Sequence, residues 1–341
     1  MDGVAEKEPT DNSKKYRVEI AQLSDVGRVR TENQDFATIT EPSDASSRGQ
    51  VMVVADGMGG HRGGATASQL SATMVRDEYL SSSEDDVTVA LREALAAANA
   101  AIHEKAQQDK SLEGMGTTTS AMVVRDSRVW IAHVGDSRVY RIRGEEIEQL
   151  TEDHSLVATM VKEGLISPEE AETHPRKNVL QRSMGVASEV EIDVYGPFDL
   201  VEGDYYLGCS DGLHGQVKPD EILAIVNEGK KPEVIARRLV DLALERGAPD
   251  NVTVVIGLAV EDDGTLSEEA MAIPRGDDDT VRDQVPELEE PVATSPSPKG
   301  RAASGCLLQV LLLILLAVGI AGTVAMLVDE QTVLALFQGS P

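Results

Sequence analysis

The chain holds 341 residues, with 31 Lys plus Arg against 59 Asp plus Glu and a formal charge of −28. That balance argues against a nucleic-acid binder, which needs cationic surface to displace counterions, and it suits a body that meets divalent metals. Two cysteines, Cys209 and Cys306, build no disulfide framework, and 3% aromatic content leaves the core to aliphatic side chains.

In chain order, residues 1–15 (MDGVAEKEPTDNSKK) are polar and lack an apolar h-region, so they read as a disordered N-terminus and not as a secretory signal. From Tyr16 to Glu261 the pattern is that of one globular domain. Runs of strand length and composition are YRVEIAQLSD, QVMVVADG, TTTSAMVVRD, RVWIAHVGD, SRVYRIRG, IDVYGPFDL, DYYLGCSDG and NVTVVIGLAV. Helical stretches come in two pairs, at 61–80 and 87–108, then at 219–229 and 231–247. Strict α/β alternation would put a helix after each strand. Strands in runs and helices in pairs instead predict an α+β layered fold, with antiparallel sheets and helices outside.

The stretch 262–305 is acidic and then Pro/Ser-rich, which reads as a disordered linker. Cys306 to Val328 carries no charge and is mostly apolar. As a helix it would be roughly 35 Å long, enough to span a bilayer. Lys299 and Arg301 precede it, Asp329 and Glu330 follow, and no later Lys or Arg occurs. The positive-inside rule then places the N-terminal body in the cytoplasm and the short tail 329–341 outside.

Within the domain, apolar runs repeatedly meet an aspartate beside a small or turn-forming residue: Asp56 in VVADG, Asp136 in HVGDSR, Asp211 in GCSDG and Asp250 in APDNV. One such aspartate is ordinary turn chemistry. Brought to one rim of a sheet, four would repel one another, and divalent cations are the usual remedy. Oxygen ligands on short side chains fit Mg²⁺ or Mn²⁺ and not zinc; the six histidines show no zinc spacing. The glycines after Asp56 (VVADGMGGHRGG) suggest a phosphate cradle, but no Gly-Lys-Ser/Thr ending follows, and the dinucleotide pattern fails at Arg62.

SDVGRVRTENQD, VVADGMGGH, GTTTSAMVV, HVGDSRVY, LTEDHSL, LGCSDGL and PDNVTVV stand in the order and rough spacing of the protein phosphatase 2C family. The chain resembles the bacterial branch of these metal-dependent Ser/Thr phosphatases over nearly all of 16–261. The resemblance implies a four-layer α-β-β-α sandwich and two Mn²⁺ or Mg²⁺ ions sharing a water. It makes Asp56 the bridging carboxylate and the Gly57 carbonyl a ligand of one ion. Asp211 and Asp250 resemble the ligands of the other, and Asp136, with Asp211, a third and weaker site. Arg30 resembles the arginine that grips substrate phosphate, a task its planar fork suits. Asp35 resembles an acid that orients metal-bound water, next to Gln34 where many members carry glutamate. His61 is the candidate proton donor to the leaving alkoxide, since Met58 stands where eukaryotic members have a histidine. Residues 154–185 resemble the family's flap, a segment that often steers substrate choice; within it, His174, Arg176 and Asn178 are placed to touch substrate or the domain edge, and a structural role is the favoured reading. The implied partners are phosphorylated proteins, with a Ser/Thr kinase in the same membrane by analogy. The alternative is a pseudophosphatase that binds phosphoproteins without turnover. The intact set of Arg30, Asp56, Asp211 and Asp250 counts against it.

Overall fold

The computed structural model describes residues 14–40, 47–59 and 62–262. The N-terminal stretch 1–13, His61, the linker from 263, the expected membrane span and the tail lie outside the described residues. Among the described residues, no helix is long and apolar enough to cross a membrane.

The chain opens with β1 (Tyr16–Asp25), then β2 (Asp35–Ile39) and β3 (Gln50–Met58). Two helices follow, α1 (Gly63–Ser81) and α2 (Val87–Gln108). Five strands come next: β4 (Gly116–Thr117), β5 (Thr119–Arg125), β6 (Arg128–Val134), β7 (Arg138–Arg143) and β8 (Glu146–Gln149). The flap holds α3 (Leu156–Lys162) and α4 (Pro168–Thr173). The chain closes with β9 (Asp193–Asp199), β10 (Tyr205–Cys209), α5 (Asp211–His214), α6 (Pro219–Val226), α7 (Pro232–Glu245) and β11 (Val252–Glu261).

One sheet has the order β1-β11-β10-β7-β8; the other runs β2-β3-β5-β6-β9, with β4 paired to β3. Every strand pairing is antiparallel. Side chains alternate across a strand, so a run that is apolar throughout must be buried on both faces. In β3, Val51, Val53 and Ala55 face the α1–α2 pair, while Met52 and Val54 face the other sheet. In β11, Val252, Val254 and Ile256 pack in the core that also holds α6 and α7, and Val255 turns to the inter-sheet core. Three cores therefore separate four layers: helices, sheet, sheet, helices.

Helix α2 shows how sequence sets these layers. Asp86 caps it, accepting hydrogen bonds from Thr88 N at 2.8 Å and Val89 N at 3.3 Å. Val87, Ala90, Leu91, Ala94, Leu95, Ala98 and Ile102 repeat at helical spacing and are all buried. Its alanines keep the helix close to the sheet. Leu91→Ala would open a cavity costing about 2–5 kcal/mol.

Three local expectations are corrected. The DYYLGCSDG run is not strand to its end: Ser210 breaks it and Asp211 begins α5. Strands β2 and β8 escape the pattern, since DFATI is short and EIEQ is a polar edge. The flap, whose sequence reads as helical at first and then irregular and polar, holds a second helix, because a Ser167–Glu170 capping box with Pro168 starts α4.

Candidate active site: acids on the rim between two sheets

Both sheets end at one rim, and the strand ends deliver the acids there. Asp35 opens β2 directly opposite Asp56 in the β2–β3 pairing. The Asp56 backbone is fixed on both sides: its N–H donates to Thr118 Oγ1 (2.9 Å), and its carbonyl accepts from Thr118 N and Thr117 Oγ1 (2.8 Å each). Thr118 Oγ1 also meets Ser137 Oγ at 2.7 Å, which locks the β6–β7 turn carrying Asp136 to the same corner. Asp211 enters from the start of α5, and Asp250 from the residues just before β11.

These groups line a cleft of about 610 Å³, whose walls include Arg30, Asp56, Gly57, Asp136, Asp211 and Asp250. Arg30 Nη2 lies 2.7 Å from Asp250 Oδ2, with the arginine side chain 51% exposed at the mouth. Asp35 stays behind the wall, 6% exposed, and accepts a 2.6 Å hydrogen bond from Ser210 Oγ. Gln34 lines the cleft, and its backbone carbonyl accepts from Gly57 N (3.0 Å) and Ser68 Oγ (2.6 Å). From the flap, Asn178 and Leu180 reach the wall, whereas His174 caps α4 and accepts from Arg176 N at Nδ1 (3.1 Å), and Arg176 is exposed.

The glycines after Asp56 serve packing. A Cβ at Gly57 would sit 2.1 Å from the Gly64 carbonyl oxygen, so the end of β3 and the start of α1 touch backbone to backbone. Gly59 has φ +108°, the left-handed turn away from the strand.

Electrostatics match an anionic trap. Burial pushes the Asp56 carboxyl well above its usual range, and Asp35, Asp211, Asp136 and Asp250 push it further. Asp211 is raised by burial and Asp250, offset by a hydrogen bond to Asp56 and by the Lys177 and Arg30 charges. Burial, then Asp211 and Asp153, lift Asp136 to about 7. Asp35 also reaches about 7, through burial that the Ser210 and Thr253 hydrogen bonds only partly oppose. Beneath them, burial pushes His214 down to about 4, and its Nε2–H donates to the Asp136 carbonyl at 3.0 Å.

The donor set fits hard divalent ions. Among the described residues, Asp211 Oδ1 is buried without a hydrogen-bond partner, which is costly unless a cation meets it. Among the described residues, no three His, Cys, Asp or Glu are arranged to enclose one ion by themselves.

The structure thus brings Arg30, Asp56, Gly57, Asp136, Asp211 and Asp250 to one cleft and sets Asp35 behind it. Sequence reading missed Thr118, Ser210 and Asn251, the last of which lines the cleft and accepts from Gln34 N at Oδ1 (2.8 Å). The only signal for Asn251 was an amide at the threshold of an otherwise apolar strand.

The chain as a whole is similar to known proteins. Residues 28–186 match the family model "Protein phosphatase 2C". The chain is similar to protein phosphatase PhpP of Streptococcus pneumoniae, 39% identical over 251 residues, covering 72% of this chain and 99% of that protein. It is 38% identical over 264 residues to serine/threonine protein phosphatase PstP of Mycobacterium tuberculosis, covering 76% of this chain and 49% of that protein. Among solved structures, the catalytic domain of PstP in complex with 2 manganese ions superposes with TM-score 0.62 at 35% identity, covering 72% of this chain and 99% of that one. The order of the motifs, the two-sheet fold and these relatives agree: the chain belongs to the protein phosphatase 2C family.

Proposed function

We propose that this protein-serine/threonine phosphatase clears phosphate from phosphoserine and phosphothreonine of signalling proteins, opposing Ser/Thr kinases, with Mn²⁺ or Mg²⁺ as its cofactor. The observation that carries the reading is the convergence of Asp56, Asp136, Asp211 and Asp250 on a cleft with Arg30 at its mouth. Asp56, the Gly57 carbonyl, Asp211 and Asp250 would hold two ions, and Asp136 with Asp211 a third. Bound there, the ions would make a shared water acidic enough to attack at neutral pH and would neutralise the attacking and leaving oxygens.

The chain's own residues do the rest. Arg30 exchanges part of its Asp250 contact for two phosphate oxygens, as its planar fork allows. Asp35, held by Ser210 Oγ, keeps a carboxyl facing Asp56 from behind. His61 is assigned the proton for the departing Ser or Thr oxygen. Asn178 and Leu180 narrow the cleft from the flap side.

We further propose that Cys306–Val328 anchors the enzyme in the cell membrane with its catalytic body in the cytoplasm. A kinase in the same bilayer would then meet it at raised effective concentration. Purified full-length protein should hydrolyse p-nitrophenyl phosphate and a phosphothreonine peptide with Mn²⁺, stop with EDTA, and lose turnover in Asp211→Asn. Folded protein that binds Mn²⁺ yet cleaves no phosphopeptide would refute the reading. Extraction by alkaline carbonate would refute the anchor.

A further inference from the structure

We infer that Asn251 is a positioning residue: its buried amide staples the loop that presents Arg30 to the strand entrance that presents Asp250. The inference rests on Arg30 as the phosphate grip. Asn251 is 4% exposed. Its Nδ2 donates to the Val26 carbonyl at 2.9 Å and the Glu32 carbonyl at 3.0 Å, and its Oδ1 accepts from Gln34 N at 2.8 Å. Both amide hydrogens are used, and the opposite amide orientation would set oxygen against two carbonyls. The three partners are backbone groups that bracket Arg30 on both sides.

Independent contacts make this segment a hub. Gly27, at φ +79°, presses so closely that a Cβ there would lie 2.2 Å from the Asp250 carbonyl oxygen. A Cβ at Gly212, next to Asp211, would lie 1.8 Å from the Asn251 carbonyl oxygen. Arg28 N also donates to the Ala248 carbonyl at 2.9 Å. Asn251 therefore joins three sequence motifs, around Arg30, Asp211 and Asp250. The tip of the loop has little else to hold it: Val29 is 68% exposed, and the Arg30–Asp250 pair is half open to solvent, where such pairs contribute little. A loop displaced by about 1 Å would forfeit on the order of 100-fold in kcat/KM, because Arg30 must meet a phosphate placed by the ions that Asp250 would help to hold.

The test measures kcat and KM on a phosphothreonine peptide at saturating Mn²⁺ for full-length wild type, Asn251→Ala, Arg30→Ala and the double variant. Calorimetric titrations of Mn²⁺ and of inorganic phosphate accompany it. Asn251→Ala should lower kcat/KM about tenfold or more and weaken phosphate binding alike. In the Arg30→Ala background the same change should cost less than about twofold, and Mn²⁺ affinity should hold within about threefold. Additive losses, or a Mn²⁺ affinity that falls in step with kcat/KM, would overturn the inference. Should Asn251→Ala fail to fold, Asn251→Ser carries the same comparison. Wild type without turnover would defeat the phosphatase reading alone, since phosphate titration still reads the coupling between Asn251 and Arg30.

Discussion

Gly212→Ala should cripple the enzyme through backbone contact alone. The added methyl carbon would lie 1.8 Å from the Asn251 carbonyl oxygen, so the two must part by about 1.2 Å to reach the 3.0 Å below which such carbons essentially never approach. Neither side yields readily. Gly212 is the second residue of α5, and Asn251 is fixed by its three amide hydrogen bonds at the entrance to β11. Overpacking of this kind costs about 1–3 kcal/mol. The displacement falls on Asp211, one position away, and about 1 Å of misplacement costs on the order of 100-fold in rate. A matched control is Gly203→Ala, where φ is +84° but a Cβ would meet nothing within 4 Å. That variant carries backbone strain of roughly 1–2 kcal/mol away from the cleft. Phosphopeptide turnover at saturating Mn²⁺, paired with thermal melts by circular dichroism, should show both variants melting several degrees lower. Only Gly212→Ala should lose kcat, by about 100-fold. If both lose kcat alike, or Gly212→Ala keeps more than half of it, the close approach does not hold Asp211 in place.

Asp136→Asn should remove a weak Mn²⁺ equivalent in calorimetry while the tighter ions stay, because Asp56, Asp211 and Asp250 are untouched; loss of all Mn²⁺ binding would contradict this. His154 accepts from Gly135 N at Nδ1 (3.1 Å) and gives its Nε2–H to Asp193 Oδ2 (3.1 Å), so it pins the base of the flap to the turn before Asp136. His154→Ala should cost about 1–3 kcal/mol of stability by leaving the buried Gly135 N–H unpaired, read as a lower urea midpoint. The chelated protein should melt higher at pH 5.5 than at pH 8. Asp35 and Asp136, raised to about 7 from 3.8, keep protons when folded that the unfolded chain releases, so this contribution is lost as pH rises from about 4 to 7. His133 and His214, lowered to about 4 from 6.5, and His154, also lowered by burial, act in the opposite sense as pH falls through that window, but Asp56 and Asp211 are raised too and the four carboxyls outnumber the three histidines. Melts in EDTA that rise from pH 5.5 to 8 would refute this, and Mn²⁺ should erase the difference.

The layered fold was legible because its strands are apolar on both faces. Runs such as VMVVA and VTVVIGLAV need cover on two sides, and the amphipathic helices lie in pairs ready to supply it. The candidate site was legible as four aspartates, since each interrupts an apolar run. What could not be read was the set of neutral groups that hold them. Thr118, Ser210 and Asn251 act through hydrogen bonds to residues 62, 175 and more than 200 positions away, and such pairings leave no local pattern. Nor could the sequence show that Arg30 rests on Asp250. The glycines illustrate the same limit. Their number suggested a phosphate cradle, whereas Gly57 and Gly64 are small because a strand end and a helix start meet there.

The cleft's acids oppose folding, and their position explains why the fold tolerates them. The carboxyls of buried Asp35 and half-buried Asp56, Asp136 and Asp211 all sit above their usual range, so each costs free energy in its ionised form. The three apolar cores lie along the strands and leave the strand ends free to carry groups that could not be packed mid-sheet. Backbone hydrogen bonds from Thr118 and glycine-tight contacts at Gly57 and Gly212 then keep the acids from relaxing apart. Repulsion held in place this way is relieved by protons at low pH or by divalent cations at neutral pH. At neutral pH, therefore, the arrangement that weakens the metal-free fold is the one that favours binding of the ions.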